Sequence, residues 1–311
     1  MAIGDVYSVA SIPDCYYVDV GLYGLPESGS VYIYDAERPA VIDTGLGTNY
    51  ECILDALDAL GIGRDELAYI IPTHVHLDHA GGSWVLAEET DAEVLVHEAG
   101  VDYLVDPGRL WAGTKAAVGD RIEHYTKPEP IPEARITALE GGDTVDLGDR
   151  TLDVYHAPGH AFHQAIFHDA DADAIFAADA AGIYVPQLDR VIETSPPPGF
   201  DLETVIEDAR MIGELAPETI CYGHFGPESA AGRIDEYVEV TERWVEAVET
   251  ARAEFDDEDA MVEYFLERAD TPDVWGEQSA ASEIRMNLQG VLRYLQKRDE
   301  RETGQDGQSG A

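Results

Sequence analysis

The stretch THVHLDHAGG, from Thr73 to Gly82, places His74, His76, Asp78 and His79 within one short segment. It follows the apolar run Leu67 to Ile71 and Pro72, which reads as a strand. Alternate residues of an extended chain point to the same side. His74 and His76 can therefore converge on one point, while Asp78 and His79 enter the following turn. Imidazole with carboxylate and no thiolate is a donor set for Zn, Fe, Mn or Ni. The three cysteines, Cys15, Cys52 and Cys221, are widely spaced, odd in number and form no CxxC. Neither a disulfide framework nor a thiolate zinc site is indicated, and buried thiols in a reducing cytoplasm are expected.

Outward from this stretch, strands are expected near 5–11, 16–22, 30–35 and 39–43, from their apolar or alternating patterns. Tyr50, Ile53, Leu54, Leu57 and Leu60 share one helical face, and Gly61 ends that helix. A helix after Gly82 and a strand from Glu93 to Val96 come next. Residues 100–133, with Pro107, Pro128, Pro130 and Pro132, read as an insertion of short helices and loop. Strands return near 135–139, 143–147, 150–156, 164–168 and 173–178. Asp201 caps a helix with the stripe Leu202, Val205, Ile206 and Ala209, and a strand runs from Thr219 to Tyr222. The last quarter carries three helical patterns, around Ile234–Val248, Met261–Phe265 and Ile284–Leu295. From Asp299 the chain is polar and is expected to be a disordered tail. Two β-rich runs, each followed by helices, suggest two sheets packed face to face with helices outside.

Charge removes several functions. The 311 residues carry 63 Asp and Glu against 19 Lys and Arg, a formal net charge of −44. Binding phosphates without regard to sequence needs cations, so no nucleic-acid partner is expected. An anionic membrane surface is disfavoured for the same reason. With 16 Tyr, 7 Phe and 4 Trp the chain is no acidic disordered tail, so the carboxylates read as a solvated coat on a folded domain. A high-salt cytoplasm would account for that coat. The start, MAIGDVYSVA, lacks the basic and apolar regions of a signal peptide, and no apolar run approaches a spanning length. A cytoplasmic location is expected.

The histidine stretch resembles the signature of the metallo-β-lactamase superfamily, in particular its glyoxalase II-like (hydroxyacylglutathione hydrolase-like) branch. The resemblance covers roughly residues 5 to 228. Its further stations are VIDTG (Val41–Gly45), APGHAFHQ (Ala157–Gln164), FAADAAG (Phe176–Gly182) and CYGHFGP (Cys221–Pro227). They supply Asp43, His160, Asp179 and His224. The diiron flavoprotein branch differs in carrying Glu where His76 stands. The resemblance implies an α+β fold, a four-layer αββα sandwich over residues 1–228. A C-terminal helical region, 229–298, packs on it, and 299–311 form the tail. It further implies that His74, His76 and His160 hold one divalent metal ion and Asp78, His79 and His224 a second. Asp179 would bridge the two, and Asp43 would support the site from behind its ligands. Zinc is the first expectation for both ions, iron or manganese the alternatives.

Two divalent ions lower the pKa of a bound water from about 15.7 toward 7. The expected enzyme is therefore a metal-dependent hydrolase in which a metal-bridging hydroxide attacks the substrate. Asp78 would be both ligand and proton shuttle. The expected partner is a small-molecule thioester, ester or lactone; a homodimer is left open. Arg285 and Arg293 are candidates for substrate carboxylates, and Trp111, Tyr125, Tyr184 and Phe225 for the pocket wall. His163 is equally a site neighbour or an ordinary strand residue. Three alternatives stand beside this reading: a persulfide dioxygenase-like mono-iron oxygenase, a ribonuclease Z-like phosphodiesterase, and a non-catalytic metal-binding protein. The charge disfavours the second, and the full ligand set disfavours the others.

Overall fold

A computed structural model describes residues 2–306. The N-terminal half forms one sheet. Its strands β1 (Val6–Ser8), β2 (Cys15–Asp19), β3 (Ser30–Tyr34) and β4 (Ala40–Ile42) pair antiparallel in chain order. Then β5 (Tyr69–Ile71), β6 (Glu93–His97) and β7 (Ile136–Leu139) extend it in parallel. Parallel neighbours need crossovers. These are α1 (Tyr50–Leu60), the pair α2 (Leu77–Ala80) and α3 (Ser83–Glu89), and the pair α4 (Val101–Val105) and α5 (Gly108–Val118).

The second half supplies β8 (Thr144–Asp146), β9 (Thr151–His156), β10 (Ala165–Asp169), β11 (Ala174–Ala178), β12 (Ile183–Val185), β13 (Arg190–Ile192), β14 (Thr219–Tyr222) and β15 (Pro227–Ser229). The second sheet has the order β15-β14-β11-β10-β9-β8, while β12 and β13 form a separate hairpin. Its one parallel pair, β11 with β14, is bridged by α6 (Leu202–Leu215). After β15 come α7 (Arg233–Glu254), α8 (Glu258–Leu266), α9 (Pro272–Trp275) and α10 (Glu277–Asp306).

The layers follow from side-chain alternation. In β3, Tyr32 and Tyr34 point into the core between the sheets, while Val31 and Ile33 point to the layer containing α1. In β11, Phe176 faces the first sheet, and Ile175 and Ala177 face α6 and the C-terminal helices. Both faces of these two strands are thus covered, and every residue in them is buried. The result is the expected αββα sandwich. The sheets are also joined by polar bonds: Tyr32 Oη donates to the Tyr222 carbonyl at 2.8 Å, and Tyr34 Oη to Asp169 Oδ2 at 2.8 Å. Asp169 is fully buried and receives Arg150 Nη1 at 3.0 Å, so its charge is compensated.

Two expectations are corrected, and three short strands were not expected. The first strand is Val6–Ser8 rather than 5–11, because the chain turns at Val9, where Ile12 N returns to the Val9 carbonyl. The β12–β13 hairpin and β15 carry no sequence expectation, since three residues give too few alternations to read. The expected disordered tail from Asp299 is helical as far as Asp306. Helix propagation from a packed stem needs no apolar side chain, and Arg252 on α7 holds Asp299 at 3.0 Å. Residues 307–311 of that expected tail lie outside the described residues. Cys15 and Cys221 are buried, Cys52 is half-buried, and all three are free thiols. Among the described residues no helix is long and apolar enough to cross a membrane.

Candidate metal centre

The seven residues singled out by the motifs meet at the C-terminal ends of β5, β9, β11 and β14. His74 and His76 follow β5, with His76 in extended backbone, and Asp78 and His79 occupy the single turn of α2. His160 lies in the turn after β9. Asp179 follows β11 at a register shift in its pairing with β14, where Ala178 has φ of 44°. A bulge of this kind re-aims the side chain after it, here into the cleft. His224 comes two residues after β14, and Gly223 between them is required sterically. A Cβ at Gly223 would stand 2.6 Å from His79 Cε1.

The nitrogens and oxygens face one another. His76 Nδ1 lies 3.0 Å from His74 Nε2 and 3.1 Å from His160 Nε2. Nitrogens held 2.0–2.1 Å from a tetrahedral ion would be about 3.3 Å apart, so this spacing fits one small divalent ion. Asp78, His79 and His224 form a second group of converging donors. Asp179 reaches both groups. Its Oδ2 is 3.1 Å from His160 Nε2 and 3.4 Å from His79 Nε2, and its Oδ1 is 3.2 Å from His224 Nε2. His79 Nε2 and Asp179 Oδ1 are buried without a hydrogen-bond partner. Buried polar atoms are ordinarily satisfied, and these two point into the space between the donor groups. The donor set therefore fits two divalent ions.

Surrounding residues fix the donors. Asp43 follows β4 and accepts from both Thr73 N and Thr73 Oγ1 at 2.8 Å through Oδ1. Its Oδ2 is 2.8 Å from His79 Nδ1. A carboxylate on Nδ1 puts the lone pair on Nε2, the atom aimed at the site. Thr73 Oγ1 is 3.2 Å from His74 Nδ1, and Thr194 Oγ1 is 3.5 Å from His160 Nδ1. Burial pushes the His160 imidazole down to about 3 and His74 well below its ordinary value. Both are thus neutral, the form that ligates. Burial also disfavours charge on His79, but Asp179 and Asp43 outweigh it and hold that ring well above its ordinary pKa. Burial works against the Asp179 carboxylate as well; His224, His79 and His160 overcome it and keep it ionised.

The site opens into a cavity of about 320 Å³ whose lining includes His76, Asp78, His160, Asp179 and His224. Tyr125 and Tyr184 line it as expected; Trp111 and Phe225 do not. His163 lines it too, buried and pushed down to about 2 by that burial, and its Nδ1 accepts from Val75 N at 3.4 Å. Arg285 and Arg293 are absent from the lining, and Arg285 is held instead by Asp259 at 2.7 Å. The cations of the wall are Arg109 and Arg121. Arg121 pairs with Glu283 at 3.0 Å and lies 3.6 Å from the Tyr23 ring centroid. Tyr23, with φ of 58°, shares a 2.8 Å hydroxyl contact with Tyr125. A bulky residue in that region is strained, and the strain falls on the cavity wall. Thr194, Tyr23 and Arg121 were not singled out from the sequence. Each belongs to no motif and reaches the site only by tertiary packing.

This fold and donor cluster define a class, and sequence comparison agrees. The profile of the Metallo-beta-lactamase superfamily matches residues 24–224, and the chain belongs to that superfamily. Hydrolases are among the relatives it resembles. The chain is 28% identical over 217 residues to the metallo-beta-lactamase fold-containing protein ST1585 of Sulfurisphaera tokodaii, a match covering 67% of this chain and 77% of that protein. The crystal structure of ST1585 superposes with a TM-score of 0.71 at 24% identity, covering 90% of this chain and 99% of that one. An acyl-coenzyme A thioesterase, MBLAC2 of Gallus gallus, is 32% identical over 161 residues, covering 46% of this chain and 54% of the thioesterase. A hydroxyacylglutathione hydrolase of Erythrobacter litoralis is 29% identical over 188 residues, covering 60% of this chain and 58% of the relative.

Proposed function

We propose that this chain is a dinuclear hydrolase of small-molecule thioesters, esters or lactones. The observation that carries the proposal is the paired donor set. His74, His76 and His160 form one group, Asp78, His79 and His224 the other, and Asp179 reaches both. Two divalent ions there, zinc first, would supply an acidified water and polarise the electrophilic oxygen. The chain's own residues do the rest. Asp43 keeps the His79 Nε2 lone pair on the site. Asp78, half-buried at the cavity, would take a proton from the attacking water and return it to the leaving group. The apolar wall limits competing water.

The substrate class rests on two supports. The relatives include a thioesterase and a hydroxyacylglutathione hydrolase, and the wall offers little for a polyanion. Of its two arginines, Arg121 is already engaged by Glu283. With a net charge of −44, an RNA phosphodiester is the poorer fit. We read the same charge as adaptation to a high-salt cytoplasm.

The test is a hydrolysis panel in molar salt, covering thioesters, lactones, aryl esters and a phosphodiester, with metal analysis of the same samples. Two zinc-like equivalents per chain and acyl hydrolysis are expected. His76→Ala and Asp179→Asn should lose metal and hydrolysis while circular dichroism stays native. Full activity in either variant rejects the assignment, and so does one iron per chain with oxygen uptake on a persulfide.

A further inference from the structure

The cavity extends from the donor cluster to a wall that the hydrolytic chemistry does not use. Asp179, 2% exposed, lines the same cavity as Gly113, Thr114 and Ala117 of α5 and Ser279 and Met286 of α10. On α5 the positions 110, 113, 114 and 117 fall on one helical face, as 279, 283 and 286 do on α10. A helix face packed against protein would carry large apolar residues there. On α5 this face begins with the buried Leu110 and continues with the exposed Gly113 and the half-buried Thr114 and Ala117, and a Cβ built on Gly113 meets no atom within 4 Å. The Arg121–Glu283 pair, each side chain 13% exposed, ties the segment after α5 to α10 and holds the two helices around this space.

We propose that the space between α5 and α10 is an acyl-chain slot. It would take an unbranched apolar chain of the substrate, with Gly113 at its rim, where a larger side chain would narrow it. The slot deepens the hydrolase reading and rests on it for the position of the scissile bond. Between the helices the wall offers a polar acyl group the Thr114 and Ser279 hydroxyls; of the two arginines in the lining, Arg121 is engaged by Glu283 and Arg109 lies 5.6 Å from the Tyr103 ring centroid.

The experiment compares kcat/KM for acetyl, hexanoyl and decanoyl esters of one aryl alcohol in wild type, Gly113→Leu and Ala112→Leu. Each methylene buried is worth about fourfold. A leucine side chain filling the slot should therefore lower the decanoyl-to-acetyl ratio at least tenfold. Ala112, exposed and outside the lining, should leave the ratio where it is. Leucine is a better helix former than glycine, so the fold should survive, and a thermal melt checks this. Calorimetric titration of 1-decanol reads the slot without turnover, with binding at least tenfold weaker in Gly113→Leu. Acyl hydrolysis with a ratio and decanol binding indifferent to Gly113→Leu overturns the slot and leaves the hydrolase reading intact. Gly113-dependent decanol binding without hydrolysis of any ester, thioester or lactone overturns the hydrolase reading and leaves the slot.

Discussion

Replacing Asp43 by asparagine tests the reasoning about the metal centre most sharply, because shape is kept and only charge and one donor change. Asp43 is 4% exposed, and both oxygens are committed: Oδ1 to Thr73 N and Oγ1, Oδ2 to His79 Nδ1 at 2.8 Å. In Asp43→Asn the amide oxygen can keep the two Thr73 bonds. The amide N–H2 then faces His79 Nδ1, where two donors cannot meet. His79 must move its proton to Nε2, the atom 3.4 Å from Asp179 Oδ2 and the one aimed at the metal. A protonated nitrogen does not ligate.

Loss of such a supporting partner costs about 10- to 100-fold in metal affinity, or about 1.4–2.7 kcal/mol. The upper end is expected here, since Asp43 supplies both the tautomer and a buried negative charge. The assay is competition for zinc against a chromophoric chelator, with hydrolysis followed on the same samples. One affinity class should stay as in wild type, because His74, His76 and His160 do not touch Asp43. The other should weaken 10- to 100-fold, with hydrolysis falling in step and returning at high zinc. Two unchanged affinity classes would refute the argument. So would equal loss at both with a lowered melting temperature of the metal-free protein, since Asp43 would then be a general support of the fold.

Two further outcomes follow from the charges. Asp208 on α6 accepts from Gly159 N at 2.6 Å, and burial pushes its carboxyl from 3.8 up to about 7. Between those values the folded chain holds a proton that the unfolded chain has lost, so stability falls as pH rises through the window. Asp208→Asn should flatten that slope, by at most about 4 kcal/mol between pH 4 and 8. Urea midpoints at both pH values measure it; Glu193, also pushed up to about 7 by burial, remains in both proteins and cancels in the difference. Parallel pH curves for the two proteins would remove Asp208 as the cause. The −44 charge should make the melting temperature rise with salt. The screening length shrinks from about 10 Å at 0.1 M to about 3 Å at 1 M, relieving self-repulsion of the acidic coat. A melting temperature flat from 0.1 to 2 M sodium chloride would reject the high-salt reading.

What was legible in the sequence, and what was not, divides along one physical line. His74 and His76 are readable because two-residue periodicity makes neighbours in sequence into neighbours in space. Asp179 and His224 are readable because each ends an apolar strand, and Gly223 relieves the contact that His79 would otherwise make. Asp43 is readable for the same reason, at the end of β4, where φ of 61° turns its carboxylate toward Thr73 and His79. The cavity wall obeys no such local rule. Arg121 owes its place to an ion pair with Glu283, 162 positions away in sequence, and Tyr23 meets Tyr125 across 102. No period or spacing encodes those distances, which is why Arg285 and Arg293 were plausible and are not in the wall. Strand ends position the candidate metal donors, so a local pattern reports them. Side chains from helices remote in sequence shape the cavity wall, so its lining is written in tertiary packing and not in a local pattern.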